Sequence, residues 1–227
     1  MIEIEKVEEL IGVHFLDENL LRTALTHRSY LNEHKDVKGH NERLEFLGDA
    51  VLELVTTEFL YKNYPNPEGE LTNWRSALVK TETISDVSLT LGVEEFIMMS
   101  RGERKSLGRS RQLILANTFE AMVGAMYLDQ GYDLAREFIT KNLLVRLDHI
   151  LDAKLYIDPK SEFQEMAQEK DGLTPRYEVV SEDGPDHNKR FVVGVFVGET
   201  KWGTGSGTSK QSAQQEAAAD AVKKYQK

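Results

Sequence analysis

From Ile2 to about Asp152, apolar residues recur at intervals of three and four. The runs VEELIGVHF, ENLLRTALTHRSYL, RLEFLGDAVLELVTTEFLYKNY, LTNWRSALVKTETISDVSLTLG, ILANTFEAMVGAMYLDQG and LAREFITKNLLVRLDHIL all show this spacing, which gathers the apolar side chains on one face of a helix. The runs break at Pro65 and Pro67, at Gly92 and at Gly131, where helix-stopping residues stand. No β-rich stretch interrupts them. Residues 1–151 are therefore expected to form an all-α domain.

After LDAKLYIDPKS the period changes. DPKSEFQEMAQEK reads as a helix capped by Asp158 or Ser161, with Phe163, Met166 and Ala167 inward. PRYEVVSEDGPDHNKRFVVGVFVGETKWGTGSG then alternates with period two and is broken at EDGPDHN and GET. That predicts three short antiparallel strands. TSKQSAQQEAAADAVKKYQ closes the chain as an Ala-rich helix. Residues 158–227 are thus expected to form an α+β domain of order α-β-β-β-α, joined to the first through a short linker near Leu151 to Pro159.

Composition narrows the class. The chain has 227 residues, which fits one large domain or two smaller ones, and with 40% of them hydrophobic it can bury a core. It has no cysteine, which excludes disulfides and thiolate metal sites. No apolar run approaches the ~20 residues needed to span a membrane. The start, MIEIEKVEEL, lacks the basic and apolar regions of a secretory signal, so a cytoplasmic protein is expected. The net charge of -10 argues against a nonspecific nucleic-acid coat. RGERKSLGRSR, Arg101 to Arg111, is nevertheless locally basic; it fits either a solvated loop or a contact with phosphate.

Candidate chemistry sits on two of the helices. Glu42, Glu45 and Asp49 share one stripe of HNERLEFLGDAVLEL, while Phe46, Val51 and Leu54 point elsewhere, toward a core. Like charges at this spacing cost a helix a few tenths of a kcal/mol each. A divalent cation reverses the sign, because hard cations such as Mg²⁺ bind carboxylate oxygens. The alternative is an exposed acidic face, which Glu53 extends as plain surface. ILANTFEAMVGAMYLD adds Asn117 and Glu120, three apart, in a helix otherwise rich in apolar and small residues. If the two helices pack, Glu45, Asp49, Asn117 and Glu120 converge on one metal cluster. The six histidines show no triad or metal-ligand spacing, and His27 reads as a structural hydrogen-bonding residue.

HNERLEFLGDAVL resembles the hallmark stretch of bacterial ribonuclease III, an endonuclease that cuts double-stranded RNA. LTHRSY, PNPEGELTNWRSALV and ILANTFEAMVGAMYLD follow in that family's order, and the α-β-β-β-α tail is similar to its double-stranded RNA-binding domain. The resemblance implies that Glu45, Asp49, Asn117 and Glu120 bind Mg²⁺, with Mn²⁺ a possible substitute. It implies that Glu42 and Glu68 contact substrate and water at the cutting site. It further implies hydrolysis to 5′-phosphate and 3′-hydroxyl ends, in processing of ribosomal RNA and other structured transcripts, with no small-molecule cofactor. Two sites facing one duplex imply a homodimer. Phe46 matches a position at its interface, although periodicity alone equally allows an internal core residue. Asn117 departs from the family's Asp and removes one charge. The alternative this leaves open is a non-cleaving double-stranded RNA-binding protein with a weakened site.

The tail's resemblance implies three contacts with A-form RNA, whose minor groove is read by shape. Gln164 and Gln168 lie on the exposed face of the first helix, and His187 lies in the GPDHN loop. Ser209 and Lys210 lie at the start of the last helix, where the dipole favours phosphate. The family's second Lys at this helix start is replaced by Gln211.

Overall fold

A computed structural model describes residues 3–185 and 189–225. The chain divides into two compact units, Met1–Tyr156 and Ile157–Lys227.

The first unit is helical, as its periodicity predicts. Its helices are α1 (Ile4–Ile11), α2 (Glu18–Ala24), α3 (Glu42–Asn63), α4 (Glu68–Val79), α5 (Thr81–Leu91), α6 (Arg109–Gln130), α7 (Tyr132–Asn142) and α8 (Leu147–Asp152). A short 3-10 turn covers Arg28–Asn32, and Thr26 forms an isolated parallel bridge with Met98. The Asp17 carboxylate caps α2 by accepting from Asn19 N at 3.0 Å. Gly92 ends α5 with φ 73, a left-handed conformation that costs a glycine nothing. The two 22-residue helices, α3 and α6, organise the core. α6 buries Phe119, Ala121, Met122, Val123, Ala125 and Met126, the mark of a helix enclosed by others.

The run LAREFITKNLLVRLDHIL divides into α7 and α8. The run LTNWRSALVKTETISDVSLTLG is two helices, divided at Lys80, whose backbone is extended at ψ 150. No Gly or Pro signals that break. The Thr83 hydroxyl, donating to Ala77 O at 2.8 Å, helps close it. On α3 only Val51 of the three named apolar residues reaches the core. Phe46 is 83% exposed and Leu54 57% exposed. The core face is instead Leu44, Gly48, Val51, Leu52, Val55, Thr56 and Leu60. Phe46, Ala50, Leu54, Thr57 and Tyr61 form a separate exposed stripe at helical spacing.

The second unit follows the predicted order: α9 (Pro159–Asp171), β1 (Arg176–Asp183), β2 (Arg190–Val197), β3 (Thr200–Gly207) and α10 (Lys210–Tyr225). The strands form one antiparallel sheet of order β1-β2-β3. Phe163, Val193 and Val195 pack with Ala213, Ala217 and Ala221 of α10. The glycines of β3 explain the alanines of α10: a Cβ on Gly205 would stand 2.2 Å from Ala217 N. Asp158 caps α9 through Ser161 N at 3.0 Å and also accepts from Gln215 at 2.6 Å. Ahead of it, Tyr156 packs edge-on against Trp74 at 6.1 Å, so the segment after α8 stays with the first unit. Among the described residues, no helix is long and apolar enough to cross a membrane.

Candidate active site

The site begins with two glycines. A Cβ on Gly48 would lie 1.7 Å from Glu120 O, and one on Gly124 would lie 2.2 Å from Leu44 O. The backbones of α3 and α6 therefore touch, and each glycine makes room for the other helix. Gly48 precedes Asp49 and follows Glu45 by three. Gly124 follows Glu120 by four. The contact sets the acidic stripe of α3 against the Asn117–Glu120 face of α6.

The electrostatics record that proximity. Burial pushes the Glu120 carboxyl up to about 8, with Asp49 and Glu45 adding to the shift. Burial also raises Glu45, as do Glu42 and Asp49, while a hydrogen bond from the Asn117 side chain opposes them. Glu45, Asn117 and Glu120 are half-buried, and Asp49 is exposed. Three carboxylates and one amide oxygen form a donor set of the kind hard divalent cations take. Among the described residues, no three His, Asp or Glu side chains are disposed to hold a metal ion as they stand. Binding one would require these side chains to turn toward a common centre.

The remaining site expectations fall in different places. Glu42, at the start of α3, pairs with Arg28 at 3.2 Å and repels Glu45. Glu68, the first residue of α4, is exposed and accepts from the Thr72 hydroxyl at 3.2 Å. It lines a cleft of about 630 Å³ with Thr57, Leu60, Tyr61, Leu71 and Arg75. Thr57 and Leu60 stand 8 and 11 residues beyond Asp49 on α3, roughly 12–16 Å along the axis. One chain therefore does not bring Glu68 to the carboxylate cluster. Glu53 is not plain surface: it forms an ion pair with Arg75 of α4 at 3.0 Å. The sequence gives no sign of that pair, because the partner lies on another helix. Gly48 does carry a sign in the sequence: a glycine inside a strongly helical run lowers helix propensity and points to a packing reason.

His27 is structural. Its Nδ1 lies 2.8 Å from the Ser29 hydroxyl, and burial lowers its pKa. In the basic segment, Arg104 donates to Ile97 O at 2.9 Å, and Arg111 grips Glu94 through two bonds of 2.5 Å. These two arginines hold the loop together. Arg101, Lys105 and Arg109 are exposed on its surface.

In the second unit Gln164 and Gln168 are exposed on α9, and Ser209 and Lys210 are exposed at the start of α10. The Ser209 hydroxyl accepts from Ser212 N at 3.1 Å and so acts as a helix cap. Lys210 sits over the Phe191 ring at 5.8 Å. His187 lies outside the described residues.

The Ribonuclease-III-like family profile matches residues 17–147, and the double-stranded RNA binding motif matches residues 159–225. The chain is 41% identical to Ribonuclease 3 of Roseiflexus sp. over 223 residues, 96% of this chain and 94% of that one. It is 43% identical to Ribonuclease 3 of Natranaerobius thermophilus over 226 residues, 99% and 97% of the two chains. The nuclease domain of ribonuclease III from Campylobacter jejuni superposes with a TM-score of 0.55 at 39% identity, covering 62% of this chain and 98% of that domain. The chain belongs to the ribonuclease III family and is an endoribonuclease with a C-terminal double-stranded RNA-binding domain.

Proposed function

We propose that this enzyme hydrolyses double-stranded RNA with Mg²⁺, leaving 5′-phosphate and 3′-hydroxyl ends. Glu45, Asp49, Asn117 and Glu120 would hold the cation, and Mn²⁺ would serve in its place. The observation that carries the reading is the α3–α6 contact at Gly48 and Gly124, beside which burial and two neighbouring carboxylates push Glu120 to about 8. A buried acid under that repulsion is stabilised by a cation. A divalent ion so held stabilises the charge that builds on the attacking and leaving oxygens and lowers the pKa of the attacking water. Glu42, at the exposed start of α3, contacts substrate or water beside the cluster.

The active form in this reading is a homodimer. Its support is the exposed stripe of Phe46, Leu54 and Tyr61 on α3. Phe46 also borders an open groove of about 740 Å³ lined by Leu20, Leu44, Leu47 and Leu128. The Campylobacter jejuni nuclease domain is described as flexible in a region involved in dimer formation. If two α3 helices pair antiparallel about a two-fold axis, the Glu68 end of one copy comes to the Glu45 end of the other. That pairing would supply Glu68 to the cutting site. Gln164, Gln168, His187, Ser209 and Lys210 read the duplex, Lys210 as a phosphate contact. The setting is the cytoplasm, and the substrates are ribosomal RNA precursors and other structured transcripts.

The test incubates end-labelled duplex and single-stranded RNA with the enzyme in Mg²⁺ or in EDTA. Expected are cleavage of the duplex in Mg²⁺ alone, and products that a 5′-phosphate-dependent ligase accepts directly. Equal cleavage in EDTA, or products needing phosphorylation before ligation, would refute the reading.

A further inference from the structure

Asn117 faces Glu45 across the α3–α6 contact, and its side chain hydrogen-bonds the Glu45 carboxylate. An amide offers two N–H donors besides its acceptor oxygen, whereas a carboxylate in the same place offers acceptors only. Among the described residues, no Lys, Arg or His forms an ion pair with Glu45, Asp49 or Glu120. The Gly48 and Gly124 contacts put backbone against backbone within one turn of these acids. The group next to Glu45 on α6 therefore decides how much repulsion the packed pair must carry.

We infer that Asn117 is a positioning residue: it orients the Glu45 carboxylate and, being neutral, keeps α3 and α6 packed at the site when no cation is bound, while weakening divalent-cation binding. This rests on the cation reading above. Asp is isosteric with Asn, so replacing Asn117 by Asp changes the packing little. It exchanges a donor toward Glu45 for a like charge, and it puts a charged carboxylate ligand where the neutral amide oxygen stood. A side chain with a purely structural role would lose stability on substitution whether or not Mg²⁺ was present. Asn117 predicts a loss confined to the metal-free protein and reversed by the ion.

Full-length wild type, Asn117→Asp and Asn117→Asp/Glu45→Gln are compared by thermal melts in EDTA and in MgCl₂, and by calorimetric titration with Mg²⁺ alone. Expected is a Tm in EDTA lower by on the order of 3 °C or more for Asn117→Asp. Added Mg²⁺ should recover most of that loss, with affinity raised on the order of tenfold over wild type. The Glu45→Gln change should restore the EDTA stability. If Asn117→Asp does not fold in EDTA, the double variant decides: rescue supports the assignment, and failure to rescue overturns it. An unchanged EDTA melt, or a loss that Mg²⁺ does not reverse, overturns it too. A wild type that takes up no Mg²⁺ refutes the cation reading, while the EDTA melts still judge the Asn117–Glu45 contact.

Discussion

Glu120 makes the metal-free enzyme's stability depend on pH in a specific direction. Its carboxyl is raised from 4.5 to about 8, first by burial and then by Asp49 and Glu45. In the unfolded chain the proton leaves near 4.5; in the folded chain it stays until about 8. Between those values the native state binds more protons than the unfolded state, so stability is full below 4.5 and falls as pH rises through this window. At ~1.4 kcal/mol per unit, the shift bounds the loss at roughly 5 kcal/mol, and relaxation of the half-buried cluster reduces it to a few. The assay is urea denaturation of wild type and Glu120→Gln in EDTA at pH 5.5, 7 and 8.5, repeated in Mg²⁺. The glutamine is neutral throughout, so the variant should lose less stability than wild type over this range. In Mg²⁺ the wild-type decline should flatten, because the ion favours the ionised carboxylate. A wild-type stability that is level or rising with pH in EDTA would refute the reasoning. So would a Glu120→Gln curve that falls as steeply as wild type.

Gly48→Ala should cost about 3 kcal/mol or more and reduce cleavage, because its Cβ would meet the Glu120 carbonyl at 1.7 Å and force the helices apart; a denaturation midpoint equal to wild type would contradict the close contact. Phe46→Ala should leave protomer stability within about 0.5 kcal/mol, since the ring is exposed, yet weaken self-association by about 2 kcal/mol, roughly thirtyfold in Kd. Sedimentation equilibrium reads the second effect, and an unchanged dimer would remove Phe46 from the interface. Gln211→Lys should tighten duplex binding and steepen its salt dependence by about one unit of slope per added phosphate contact; filter binding across a salt series checks this, and an unaltered slope would take the start of α10 away from the phosphates.

Much of this architecture is legible in local spacing. Periods of three to four and of two separate a helical unit from an α-β-β-β-α unit, because each period states which face of an element is buried. The approach of Glu45 and Asp49 to Asn117 and Glu120 follows from two helices whose small residues invite contact. What the spacing conceals is nonlocal. Lys80 divides α4 from α5 without a breaker residue, since tertiary packing and the Thr83–Ala77 bond supply the turn. Phe46 and Leu54 look like core residues because hydrophobicity alone does not say whether a face is covered by the same chain. Glu53 looks unpaired because Arg75 arrives from another helix, and the placing of Glu68 in a cleft beyond Asp49 along α3 is set by how α4 packs on α3, which local spacing does not show.

Catalysis by the carboxylates that α3 and α6 gather, as distinct from a purely structural role for them, can be separated experimentally. The decisive experiment is single-turnover cleavage of a labelled duplex in Mg²⁺, measured beside duplex binding, for Glu45→Gln, Asp49→Asn and Glu120→Gln. If the carboxylates are catalytic, each variant binds the duplex within about threefold of wild type while cleavage slows on the order of a thousandfold. Variants that cut at the wild-type rate, or that lose binding in step with cleavage, would contradict a catalytic role.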